Sequence, residues 1–222
     1  GYISRIYRND SGTFTDINAG LEGVIRSSVA WGDYDNDGDL DVLLTGLTAS
    51  SQSISRIYRN DTGTFTDINS GLEGVFDSSA AWGDYDNDGD LDVLLTGASL
   101  ISGHISRIYR NDSGMFADIN AGLEGARFSS AAWGDYDNDG DLDILLTGMD
   151  EWSNAFSRIY RNNCVMPNSV PSQPSNLEFT QDANGLYFNF DPASDAETPS
   201  SGLSYNIDIN IGDGTVKAAS SD

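Results

Sequence analysis

The chain has 222 residues, with 35 Asp and Glu against 11 Lys and Arg, for a formal net charge of −24 at pH 7. That excess of negative charge repels polyanions, which argues against nucleic acid and anionic membrane surfaces as partners. The one cysteine, Cys164, allows no internal disulfide, and no His lies near it, the only one being His104, so it reads as an inert thiol. No apolar run approaches the ~18 residues of a membrane span, so membrane insertion is not expected.

The chain is periodic. Ile-Ser-Arg-Ile-Tyr-Arg-Asn starts at Ile3, Ile54 and Ile105, with a variant at Phe156, so the spacing is 51 residues. Phe14, Phe65 and Phe116 keep the same period, as do Trp31, Trp82 and Trp133. Within one period four runs read as strands, being short and rich in β-branched and aromatic residues beside turn residues. The first ends in Ala-Trp-Gly at Trp31. The second covers 40–45 and is apolar on both faces, as for a strand covered on both sides. The third covers 55–60, and the fourth covers 64–68 after a turn at Asp61-Thr62-Gly63. Gly71-Leu72-Glu73-Gly74 leads into the next unit.

Four antiparallel strands per 51 residues predict an all-β chain built as a partial β-propeller of four-stranded blades, in preference to a solenoid. Residues 1–163 divide into a half blade (1–23), two full blades (24–74 and 75–125) and a three-strand blade (126–163). The chain starts inside a repeat, so the expectation is a piece of a longer protein. Either the remaining blades or a second copy would then close the ring. From Cys164 the repeat stops, and 164–175 reads as a linker rich in Ser, Pro and Asn. Beyond it, 177–180, 185–190 and 203–211 read as three strands opening a β-sandwich in the segment 176–222. That is about half of the ~100 residues an immunoglobulin-like sandwich needs.

The most informative stretch is Asp33-Tyr34-Asp35-Asn36-Asp37-Gly38-Asp39-Leu40-Asp41, repeated unchanged at 84–92 and 135–143. Carboxylates stand at positions 1, 3, 5, 7 and 9, with Gly38, Gly89 or Gly140 at position 6. Five acids in nine residues repel one another unless a cation sits among them. A hard cation with six to eight oxygen ligands fits this set, and calcium tolerates the crowding better than magnesium. An EF-hand would carry a bidentate Glu at position 12, where this chain has Leu44, Leu95 and Leu146, and the flanks read as strands. The loop is therefore predicted as a calcium-binding β-hairpin, three times over. Of the 11 basic residues, eight lie in the Arg-Ile-Tyr-Arg strands and are expected to form a charge ladder balancing the acidic loops.

The run Ala-Trp-Gly-Asp-Tyr-Asp-Asn-Asp-Gly-Asp-Leu-Asp resembles the FG-GAP/VCBS repeat of integrin α-subunit propellers and of many exported bacterial proteins, over about residues 1–163. The literal Phe-Gly and Gly-Ala-Pro signatures are absent, which points to the bacterial branch. The tail resembles a fibronectin type III domain through Pro-Ser-Asn-Leu, Phe-Asp-Pro-Ala-Ser-Asp and Gly-Leu-Ser-Tyr-Asn. The first resemblance implies one Ca²⁺ per loop. Side chains of Asp33, Asp35, Asp37 and Asp41 would ligate it, with the backbone carbonyl of Asp39. Asp84, Asp86, Asp88, Asp92 and Asp90 take those roles in the second loop, and Asp135, Asp137, Asp139, Asp143 and Asp141 in the third.

A full ligand set leaves no open position for catalysis, so the ions are expected to stabilise the fold at extracellular calcium concentrations, in a secreted or cell-surface protein. The copies differ in the second-to-third strand connections (47–53, 98–104 and 149–155). They also differ in the fourth-to-first connections (Ile25-Arg26, Phe76-Asp77 and Arg127-Phe128). Both lie on the face opposite the acidic loops. Variable loops on a rigid frame carry recognition, so the expected function is non-catalytic adhesion or recognition of a protein or carbohydrate ligand. An accessory propeller of a larger secreted polysaccharide-degrading enzyme and a structural spacer of a surface protein are the alternatives.

Overall fold

The computed structural model describes residues 1–163, 172–182, 185–194, 206–210 and 215–219. It is all-β, with no helix among the described residues, and no helix is long and apolar enough to cross a membrane. β1 (Tyr7–Asp10) and β2 (Thr13–Asp16) form a hairpin. β3 (Val24–Gly32), β4 (Asp41–Thr48), β5 (Ser53–Asp61) and β6 (Thr64–Asp67) form a four-stranded antiparallel sheet in chain order. β7 (Phe76–Gly83), β8 (Asp92–Ser99), β9 (Gly103–Asp112) and β10 (Met115–Asp118) form a second. β11 (Arg127–Gly134), β12 (Asp143–Met149) and β13 (Ala155–Tyr160) form a three-stranded sheet.

The chain divides into two compact units, residues 1–86 with 90–166, and residues 167–222 with 87–89. The second unit holds two hairpins, β14 (Ser175–Asp182) with β15 (Gly185–Asp191), and β16 (Asn206–Asn210) with β17 (Thr215–Ala219). Cys164 and most of the expected linker lie outside the described residues, as do 203–205 and 211 of the expected third tail strand. β17 was not anticipated.

Alternation along β4 and β8 explains how the sheets stack. Val42 and Leu44 point to one face of β4, where they meet Val24, Ile54 and Tyr58, while Leu43 points to the other. Leu43 and Ile57 pack against Val93, Leu95 and Tyr109 of the second sheet. Leu94 and Ile108, on that sheet's far face, pack against Ile144 and Leu146 of the third. Each fully buried Leu or Ile is worth about 1.5–3 kcal/mol. The third sheet's outer face has nothing of this kind on it, and its Leu145 is 49% exposed.

The Ala-Trp-Gly ending of the first strand is a lock between neighbours. A Cβ on Gly32 would lie 2.6 Å from the ring of Trp82, and one on Gly83 would lie 2.5 Å from Trp133. Each Trp thus sits on the glycine 50 residues before it, where no other residue leaves room. Tyr34, second in the acidic loop, is buried in the same seam, stacked on Trp82 at 6.3 Å and tilted against Phe116 at 5.8 Å.

Candidate metal centre

Each acidic loop joins the first strand of a sheet to the second: 33–40 between β3 and β4, 84–91 between β7 and β8, and 135–142 between β11 and β12. The backbone takes its turn where the sequence allows it. Gly38, Gly89 and Gly140 have φ of 93°, 91° and 94°, and Asn36, Asn87 and Asn138 adopt left-handed φ of 56°, 58° and 59°. Asparagine accepts that region more readily than other side chains.

The loops wrap around the first aspartate. Asp33 accepts from the N–H groups of Asp37 (3.1 Å) and Gly38 (3.0 Å), and Asp135 accepts from Asp139 and Gly140 (both 3.1 Å). The ninth-position carboxylates are sealed: Asp41, Asp92 and Asp143 are buried. Asp41 accepts from the Tyr34 N–H at 3.1 Å and the Asn60 N–H at 2.8 Å. Asp92 accepts from Tyr85 and Asn111, and Asp143 from Tyr136 and Asn162, over 2.8–3.1 Å. Burial pushes the Asp41 carboxyl up to about 6, against the pull of those two N–H donors. Asp35 is also raised, by burial first and then by Asp37 and Asp33.

Carboxylate oxygens converge within 4.8 Å in every loop, at Asp33, Asp35 and Asp37, at Asp84, Asp86 and Asp92, and at Asp135, Asp137 and Asp143. The first loop thus gathers positions 1, 3 and 5, and the other two gather 1, 3 and 9. Asp41, Asp88 and Asp139 stand outside these groups. The seventh-position side chains turn elsewhere: Asp39 accepts from Thr62 N–H (2.8 Å) and Asp90 from Ser113 N–H (3.2 Å), in the turn before the fourth strand. Asp141 is buried and likewise belongs to no group.

The donor set fits a hard cation. It is all oxygen, and although Arg161 meets Oδ2 of Asp137, its Oδ1 is buried with no hydrogen-bond partner, a costly state for a carboxylate oxygen that a metal ion would relieve. Residues at positions 1, 3, 5 and 9 would hold the ion.

Two features escaped sequence reasoning. Asn60, Asn111 and Asn162, which close the Arg-Ile-Tyr-Arg-Asn motif, tie the loops together. Beyond the N–H contacts above, Asn111 Nδ2 donates to the carbonyl of Tyr34 (2.9 Å), and Asn162 Nδ2 to that of Tyr85 (2.7 Å). The first and second loops are thus fastened by the asparagine of the next sheet; the 51-residue period marked these residues, but a partner 77 positions away left no local trace. The arginine ladder also differs from expectation. Arg5, Arg56 and Arg107 pair with Asp16, Asp67 and Asp118 near the end of the fourth strand. Arg8, Arg59 and Arg110 pair with Asp10, Asp61 and Asp112 two residues on, and Arg158 pairs with Glu124. Arg161 instead reaches an acidic loop, at 2.8 Å from both Asp137 and Asp139. The cause is local, because Asn163 stands where the earlier copies have Asp61 and Asp112.

No curated protein matches the chain. Residues 3–44 and 47–95 match the family model described as FG-GAP-like repeat, so that part of the chain carries FG-GAP-like repeats.

Proposed function

We propose that this chain is a calcium-binding, extracellular β-propeller-type module that recognises a protein or carbohydrate partner and performs no catalysis. One observation carries the calcium reading: in all three loops three carboxylates converge within 4.8 Å, a cluster that self-repulsion would open without a cation. FG-GAP-like repeats often bind calcium and are typical of extracellular proteins, which supports both the metal and the location. The tail fits this setting as a fibronectin type III-like segment on the strength of its motifs.

Recognition belongs to the end of the sheets remote from the ions. β4 and β8 run from an acidic loop to a hairpin tip, roughly 25 Å for eight residues. The tips share a frame and differ in chemistry. The first is Ala49-Ser50-Ser51-Gln52, the second exposes Leu100 and Ile101, and the third exposes Trp152 (81%) above Asp150, which accepts the Trp152 N–H at 2.9 Å. An exposed indole offers a stacking surface to a sugar ring or a partner side chain. The test is a hairpin exchange. Replacing 98–104 and 149–155 by the sequence of 47–53 is expected to abolish binding on glycan and protein arrays without lowering calcium affinity. Retained binding would favour the spacer reading.

A further inference from the structure

β3, β7 and β11 each begin with a bulge, where pairing to the next strand skips between Ile25 and Ser28, Phe76 and Ser79, and Arg127 and Ser130. Bulges re-aim side chains and mark functional rims. Here they hold Arg26, Asp77 and Phe128 in the left-handed region, at φ of 53°, 48° and 46°. Arg and Phe are strained there and glycine would not be, so the side chains are retained at a cost. β3 packs on β7 and β7 on β11, which sets the three bulges in a row.

Between the first two sheets the row is complete. The Arg26 guanidinium lies over the Phe76 ring, 4.6 Å from its centre, and donates through Nε and Nη2 to the buried carboxylate of Asp77. At the third sheet the same arrangement is half built. The Arg127 guanidinium lies over Phe128 at 5.1 Å, and Arg26 reaches the same ring at 5.9 Å. No carboxylate among the described residues meets Arg127. Among the described residues it is the one arginine without an ion pair, and its Nε is buried with no hydrogen-bond partner. In a chain with 35 acids, an unpaired, part-buried guanidinium is an anomaly that a ligand resolves.

We propose that Arg127, backed by Phe128, is a binding site for a single carboxylate borne on a ring. Asp77 on Arg26 is the internal copy of the contact that the ligand makes. A guanidinium takes a carboxylate through two parallel N–H donors, and Phe128, 58% exposed, offers the ring a face. The charge of −24 selects a monoanion over a polyanion. The site deepens the recognition reading, on which it rests, by placing an acidic group in the partner. An aromatic acid and a uronic acid share this chemistry.

The test follows the Arg127 Nε–Hε and Phe128 amide signals by NMR while the full chain, in calcium, is titrated with benzoate, glucuronate, benzamide or glucose. A shift of both signals with benzoate, glucuronate or both, and with neither neutral compound, is the expected result, and the stronger acid names the source. Arg127→Gln should weaken that binding at least ~10-fold. Phe128→Gly, which relieves the strained backbone and so keeps the fold, should weaken it several-fold, and Arg5→Gln should leave it unchanged. Silence with both acids, equal shifts with the neutral compounds, or full binding by Arg127→Gln would overturn the proposal. For this comparison the third hairpin is exchanged over 150–154 only, which spares Met149 opposite Arg127. Partner binding that survives Arg127→Gln but not the exchange therefore removes this site alone, and the opposite pattern removes the hairpin reading alone.

Discussion

The ninth carboxylate of the first loop shows how one residue couples metal to fold. Asp41 is sealed from water and its carboxyl is pushed up to about 6, against ~3.9 in an unfolded chain. The folded state therefore holds this proton more tightly. Without calcium, the stability from Asp41 is fully present below about pH 4 and is lost as pH rises through about 6. Calcium favours the ionised form and opposes that loss. Carboxyl-resolved NMR in EDTA should show Asp41 titrating near 6, and excess calcium should move the midpoint down. Arg161 is a second case. It holds Asp139 below the usual carboxylate range through a hydrogen bond and occupies part of the third loop as a built-in cation. The third loop should bind calcium more weakly than the first, read from the Gly140 and Gly38 amide shifts. Arg161→Gln should narrow the gap about three- to tenfold.

At the scale of the strand, identical residues carry different loads. Leu94 and Leu145 both follow the first residues of a second strand, yet Leu94 is buried between two sheets and Leu145 faces outward. Leu94→Ala should cost about 2–5 kcal/mol in chemical denaturation and Leu145→Ala well under 1 kcal/mol. Equal losses would mean that the third sheet's outer face is covered in solution. The strands and their order were legible because a 51-residue period, strand-length apolar runs and Asp-Gly turns agree in every copy. β17 was not legible, since only Thr215 and Val216 of its five residues favour a strand and Lys-Ala-Ala does not. The acidic loops could be read from spacing alone, whereas the asparagine ties and the Trp-on-Gly lock depend on sheets meeting across 50 to 77 residues. The arginine ladder misled because charge pattern shows that ions pair but not with which acid. Most strand arginines pair with carboxylates outside the loops, whereas Arg161, with Asn163 in place of the usual acid two residues on, reaches Asp137 and Asp139.

For the whole molecule, a stack of sheets pinned at one end by acidic loops should owe part of its stability to divalent ions. Extracellular calcium modules bind with Kd of about 10⁻⁴–10⁻³ M. At roughly millimolar calcium each loop then adds about 0.4–1.4 kcal/mol, a useful share of a typical 5–15 kcal/mol stability. The net charge would also fall, from −24 to −18 with three ions bound, easing repulsion across the molecule. The decisive measurement is thermal unfolding of the full chain in EDTA and in excess calcium, repeated with magnesium. The account predicts a midpoint several degrees higher in calcium, with a smaller gain in magnesium. Superimposable curves in calcium and EDTA would contradict it.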